Sequence, residues 1–356
     1  MSVELFIVVV IAQAVFVAGL VLLMLANRAR RRLMRPERSE RETGVSEAFS
    51  MWLVGAAPLH ELVSRLRAIP PEDALEQTIE AVAKRAPPDR RRELQAALRR
   101  EPWVARYLRQ ARSRIWWKRL QAARTLTIAG GPGDRAHLEH LLVDAHPAVE
   151  IAAIGAIESV ADADLVAKLL ADLPQRPTVV RRVLMRALVR IWPMARRVVL
   201  AGLQAPGVPP ERLEAWIGLA ELSADPECVV AAAAHSTHPD GSVRVAVARV
   251  LRHYYHPLVQ DKLAALLRDP EWAVRASASR TAGTLGDPAA LAPLRAACSD
   301  SAWWVRFRAS LAIAQLGEPG RAVLRELRDG TDPFARDMAM MISGLSDGGV
   351  LELAET

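Results

Sequence analysis

Apolar positions follow two registers along this chain. From Leu5 to Ala26 they are continuous, with Gln13 as the one polar side chain. Beyond residue 48 they fall three and four apart and are punctuated by Pro, Gly and Asp, which is the spacing of amphipathic helices and the chemistry of their ends. As a helix of about 22 residues the first run rises about 33 Å, enough to cross a bilayer. Glu4 precedes it without any Lys or Arg, unlike a secretory signal, whereas Arg28, Arg30, Arg31, Arg32 and Arg35 follow at once. Residues 1–27 are therefore expected to form a single transmembrane anchor through residues 5–26, with the N-terminus outside and the rest in the cytoplasm. Pro36 to Glu47 is charged and poor in apolar residues, so residues 28–48 predict a solvated tether, with Arg28–Arg35 able to meet anionic lipid headgroups.

Within the helical part a motif of the form Val-Arg-x-x-Ala with a later Leu-Gly keeps returning. Its clearest copies are Asp269-Pro-Glu-Trp-Ala-Val274-Arg275 and Asp300-Ser-Ala-Trp-Trp-Val305-Arg306. The same frame falls on Lys118-Arg119, Val149-Glu150, Val180-Arg181, Glu211-Arg212, Val243-Arg244 and Ala335-Arg336, at steps of 30 to 32 residues. Residues 0, 4, 8 and 11 places on are mostly apolar, as at Val274, Ala278, Ala282 and Leu285, so the motif lies on a helix. Gly286-Asp287-Pro288 supplies a helix stop, an N-cap and a first-turn Pro, and Asp269-Pro270 is expected to open the next helix. Each copy is thus a helix pair, too small to bury its apolar face alone, and neighbours must stack. Residues 114–346 are expected to hold about eight such repeats. Amphipathic stretches at 59–69, 72–85, 89–99 and 103–112 make residues 49–113 an N-terminal helical cap, and residues 347–356 a polar tail at the other end.

The Asp-x4-Val-Arg-x-x-Ala-x6-Leu-Gly pattern resembles HEAT repeats, in particular the short bacterial kind also seen in phycobilin-lyase-like proteins, over about residues 114 to 346. The resemblance implies an all-α, right-handed α-α superhelix, here preceded by one transmembrane helix, and places the chain at a bacterial inner membrane. It further implies a hydrogen-bonded ladder between successive units, on Asp269 with Arg275 and on Asp300 with Arg306. Asp144 is followed by Glu150 instead, a departure from the pattern at the second repeat.

Composition agrees with helix: 51% of residues are hydrophobic, yet there are only three Tyr and five Phe. Cys228 and Cys298 are too few for a disulfide framework or a zinc site. Three histidine pairs, His137/His140, His235/His238 and His253/His256, have spacing i, i+3, but the last two flank a helix and cannot converge. HEAT-type iron hydroxylases resemble this fold and carry several His-Glu dyads; this chain has only His60-Glu61, outside the repeats. No phosphate-binding loop, nucleophile elbow or zinc-protease helix occurs, and Gly130-Gly-Pro-Gly133 reads as a turn between helices. No catalytic, cofactor or metal residue is assigned.

Tryptophan supplies the one distinctive column. Trp116, Trp272 and Trp303 stand two places before the motif, doubled by Trp117 and Trp304. Arg recurs six places into it, at Arg124, Arg186, Arg249 and Arg280. The rings either pack on the neighbouring repeat or, on a concave face with those arginines, anchor a protein partner. The function expected is a membrane-anchored cytoplasmic scaffold, an accessory part of an envelope-associated complex, binding a protein partner. The alternatives are a HEAT-like enzyme, resembling a bilin lyase or an alkylpurine DNA glycosylase, and an anionic-lipid-binding module. A net charge of +7 over 356 residues is thin for nucleic acid. An aspartate beside an exposed tryptophan in a groove would favour the glycosylase.

Overall fold

The computed structural model describes residues 35–355, so the anchor expected at residues 5–26 and the arginines at 28–32 lie outside the described residues. Among the described residues no helix is long and apolar enough to cross a membrane, and every regular element is a helix. The described residues divide into two compact units, one ending at Val160 and one beginning at Ala161.

The first unit contains α1 (Arg35–Leu53), α2 (Leu59–Arg67), α3 (Pro71–Arg85) and α4 (Pro88–Leu98), then two helix pairs and a last turn. The pairs are α5 (Pro102–Leu108) with α6 (Trp116–Ala129) and α7 (Arg135–Leu141) with α8 (Pro147–Ile154), and the turn is α9 (Ile157–Val160). Proline opens α3, α4, α5 and α8, where its missing N–H would have no helical partner in any case. The solvated tether is corrected: residues 35–53 are helical, and Val45, Ala48, Phe49 and Trp52 are buried as α1 packs on α2 and α3. The charged first half of α1 concealed an apolar stripe that begins at Val45 and continues past residue 48. The Gln95 side chain of α4 donates to the Gly130 carbonyl, and Arg99 donates to the Ala129 carbonyl at 3.0 Å, which fixes the glycine turn after α6.

In the second unit the same pairing runs on. First helices are α10 (Ala163–Asp172), α12 (Trp192–Gln204), α14 (Pro226–Ala233), α16 (Pro257–Leu266), α18 (Leu291–Ala297) and α20 (Gly317–Arg328). Their second helices are α11 (Thr178–Arg190), α13 (Pro210–Ser223), α15 (Gly241–Val250), α17 (Trp272–Leu285), α19 (Trp303–Gln315) and α21 (Pro333–Ser343), before a final α22 (Asp347–Glu355). From α13 onward each second helix packs on the one before it. Every second helix, in both units, opens one or two residues before the motif, so the sequence frame is the frame of the fold. Val274, Ala278 and Ala282 on α17 and Val305, Ala309 and Ile313 on α19 are fully buried between neighbours. Burial of each valine-sized side chain contributes about 1.5–3 kcal/mol. Gly286 ends α17 in the left-handed conformation, φ 68°, and Asp287 then accepts the Ala289 N–H at 2.9 Å. The polar tail is also corrected: residues 347–355 form α22, which packs on α19 with Val350 buried.

An arginine ladder joins the repeats, with a partner different from the one expected. Arg275 does not bond the Asp269 carboxylate. It reaches Asp300 of the next repeat with two bonds of 2.7 and 2.8 Å, and Arg244 reaches Asp269 with two of 2.7 and 2.9 Å. Toward its own turn the arginine donates Nη1 to backbone carbonyls, Arg275 to Asp269 and Arg306 to Asp300, each at 2.7 Å. Side chains on a helix lean toward its N-terminus, so one arm of the guanidinium meets the preceding turn while the fork faces the following repeat. The carboxylate does double duty, Asp269 accepting the Glu271 N–H at 2.9 Å and Asp300 the Ala302 N–H at 2.8 Å. That use keeps Asp269 and Pro270 in the turn, and α17 opens two residues later than expected, at Trp272. Burial alone would raise the Asp300 pKa, but the Arg275 guanidinium and the Ala302 N–H hold it below the ordinary value. In the first unit Arg119 clamps Asp144 in the same way, at 2.5 and 2.9 Å, although Glu150 follows. Arg306 instead lies over the Phe334 ring at 4.7 Å, its Nε buried without a hydrogen-bond partner.

Candidate binding site

Second helices α15, α17 and α19 lie side by side, and their spacing is set by small side chains. The Thr281 hydroxyl donates to the Ala248 carbonyl at 2.7 Å, which pins α17 to α15. Gly283 permits the approach of α19, because a Cβ there would stand 2.8 Å from the backbone of Ala312. Between the exposed faces of these helices opens a cavity of about 260 Å³. Trp272, Ala276 and Arg280 line it from α17 at successive steps of four residues, one stripe of a helix. Trp304 and Arg308 line it from α19 at the same step, and Arg249 and Arg252 close it from the end of α15 and the turn beyond. Ala276 leaves the middle of the stripe shallow, so the cavity has an indole end and a guanidinium end.

The charged side chains of the lining are all of one sign. Four arginines line the cavity, and among the described residues lining it there is no carboxylate. Glu221 of α13, mostly buried, approaches Arg249 at 3.3 Å and Arg252 at 2.7 Å and holds both in place. Arg308 donates to the Leu353 carbonyl of α22 at 3.1 Å, and its pKa is lowered by burial and by the neighbouring Arg280 cation. An anion bound between Arg280 and Arg308 would relieve the repulsion that adds to burial in lowering the Arg308 pKa. At the other end Trp272 and Trp304 each remain half exposed, large apolar surfaces left to solvent.

Of the residues expected to form a binding face, the structure brings Trp272, Arg249 and Arg280 together here. Trp303 is displaced from it: its ring stacks on Phe307 at 5.1 Å, and Trp304, one helical step round, takes its place in the cavity. Arg186 is exposed on α11 and does not line the cavity. Trp116 and Arg124 belong to the first unit, where Trp116 stacks on His146 of the next repeat at 4.0 Å and Arg124 faces Glu76 at 3.5 Å. Trp116 thus packs on its neighbour, the first of the two readings of the column, and is 40% exposed. Arg252 and Arg308 escaped the sequence reading because they lie off the 31-residue column; a step of four from Trp304 finds Arg308.

The pairs His235/His238 and His253/His256 serve local structure. His235 Nε2 contacts the Leu203 carbonyl at 2.7 Å, His238 Nδ1 accepts the Asp240 N–H at 3.1 Å, and His256 stacks on Tyr254. His253 Nε2 accepts from Arg252 at 3.1 Å; burial, then Arg252, lowers its pKa. Among the described residues no group of three or more His, Cys, Asp and Glu is placed to hold a metal ion. Cys228 and Cys298 are free and buried; burial raises their pKa to about 12 and about 11, so both are protonated thiols.

Residues 260–343, which include α17, α19 and the cavity's indoles, match the family model described as HEAT repeats. Among solved structures the chain is similar to the Escherichia coli protein YibA, at 15% identity and TM-score 0.38 over 74% of this chain and 99% of that one. It is also similar to human deoxyhypusine hydroxylase solved with glycerol, at 17% identity and TM-score 0.30 over 79% and 98%. A third is a mutant of Kap121p, at 12% identity and TM-score 0.35 over 92% of this chain and 46% of that one. No curated protein matches the chain.

Proposed function

We propose that this chain is a membrane-anchored scaffold that binds a protein partner on the second-helix face of its C-terminal repeats. One observation carries the reading: Trp272 and Trp304 stand half exposed beside four arginines on a face that the packing of the repeats does not use. Aromatic and arginine side chains around a shallow depression are the anchors on which protein interfaces concentrate their affinity. In this reading the face lies on the cytoplasmic side of a bacterial inner membrane, with an envelope-associated complex as host; the apolar run at residues 5–26 and the arginines after it support that orientation.

The test is capture in the native host. Tagged full-length protein is cross-linked in cells, extracted in mild detergent and compared with a Trp272→Ala, Trp304→Ala, Arg280→Ala variant. A defined set of proteins lost in the variant is the expected result; an unchanged set would move the interface elsewhere. Fractionation of the same cells checks the anchor, because deletion of residues 1–34 should release the protein from the membrane.

A further inference from the structure

The cavity between α15, α17 and α19 has a polarity along its length, and that polarity constrains what it holds. Trp272 and Arg280 are eight residues apart on α17, so the indole end and the guanidinium end are separated by about 12 Å. An extended polypeptide rises about 3.3 Å per residue and covers that span in about three to four residues. At the basic end the arginine forks match carboxylates, which they take with two parallel bonds each. Glu221 already orients Arg249 and Arg252 from behind, so their geometry is set before any ligand arrives.

We infer that the site takes an extended acidic peptide of the partner, with an aromatic or proline side chain against Trp272 and Trp304 and carboxylates three to four residues further on engaged by Arg249, Arg252, Arg280 and Arg308. This rests on the scaffold reading and gives its partner a chemistry. A mononucleotide would also present a flat ring and negative charge. The indole end, however, offers a base edge little beyond the indole N–H groups: Ala276 is apolar there and the Ser277 hydroxyl is turned to the Val245 carbonyl at 3.5 Å. Duplex or single-stranded nucleic acid needs a stripe of phosphate contacts rather than one pocket.

The experiment uses the full chain in detergent micelles and a fluorescent hexapeptide, Phe-Ser-Gly-Glu-Glu-Ser. Two control peptides accompany it, the amide isostere Phe-Ser-Gly-Gln-Gln-Ser and the respaced Phe-Glu-Glu-Ser-Gly-Ser. Saturable, salt-sensitive binding of the first is expected, at least about tenfold tighter than either control, because the controls lose or misplace the charged hydrogen bonds. Arg280→Gln and Arg308→Gln should each weaken it about tenfold or more. An Arg280→Glu, Arg308→Glu variant should gain affinity for Phe-Ser-Gly-Lys-Lys-Ser, a result that misfolding cannot imitate. Equal binding of acidic and amide peptides would overturn the inference, as would pocket-dependent binding of ADP or inorganic phosphate without the peptide, or binding only to phosphatidylglycerol vesicles. If no peptide binds while the in-cell partner is still lost on substitution of Trp272 and Arg280, the chemistry inferred is wrong and the scaffold stands. A partner retained by those variants sinks the scaffold reading itself.

Discussion

Two stretches of the second unit solve one stacking problem with their fastenings on opposite rows. From α15 to α19 the tie is on the second helices, where Arg244 and Arg275 hand their forks to Asp269 and Asp300. From α12 to α14 it is on the first helices: Trp192 and Arg196 of α12 donate to Asp225 at 3.1 and 2.8 Å, and Asp225 also accepts the Cys228 N–H that opens α14. Here the motif arginines have other uses, Arg212 lying 5.9 Å from the Trp216 ring. In compensation a buried indole locks the pair, since Trp216 lies against Gly202 and donates Nε1 to the Leu170 carbonyl at 3.2 Å. The repeat length survives a change of fastener, which means that the spacing is set by apolar packing and the polar tie only fixes its register.

Substitutions can separate the two solutions. Gly202→Leu should have the largest effect, about 3 kcal/mol or more, because even a Cβ there would fall 1.9 Å from the Trp216 ring. Hydrogen exchange should show α12 and α13 losing protection while α17 and α19 keep theirs, as nearest-neighbour stacking requires. Asp269→Ala should cost about 2–3 kcal/mol by leaving the Arg244 guanidinium, itself largely buried, without its carboxylate, and exchange should rise at α15 and α17. Acid should act on both stretches alike. The pKa values of Asp225, Asp269 and Asp300 are all lowered in the fold, so their contribution is complete above the ordinary carboxylate value of about 4 and is lost as pH falls below it. A pH titration followed by segment-resolved exchange that left either stretch untouched below pH 4 would contradict the shared chemistry. The smallest effect should come from Arg181→Ala, at most about 0.5 kcal/mol by chemical denaturation, because this motif arginine has no carboxylate 25 residues on, where Pro206 stands.

What was legible in the chain follows from the same distinction. The apolar frame showed through because burial repeats it at every copy, and it located each second helix within a residue or two. Gly286 and Asp287 were readable for a local reason, since a cap depends on its own neighbours. The ladder was half readable: the residue types were right, but the resemblance pairs each aspartate with the arginine six places on, whereas the bond joins residues 25 apart. The indole that enters the cavity was ambiguous between Trp303 and Trp304, because adjacent residues on a helix point about 100° apart and packing against Phe307 decides which turns inward. In α1 the fault was one of averaging, because charge at one end of a helix hid the face at the other.

The offset of the ladder has a consequence for how such an array could change in length. Each rung takes its cation from one repeat and its anion from the next, so neither repeat owns a complete rung. If residues 269–299 were excised as a block, Arg244 would meet Asp300 at the same 25-residue separation it now keeps with Asp269. The seam would close with chemistry already present at both edges, and duplication of the block would do the same. Gain or loss of this block therefore needs no compensating substitution at its rung, and the second-helix face of this stretch can be lengthened or shortened by one repeat.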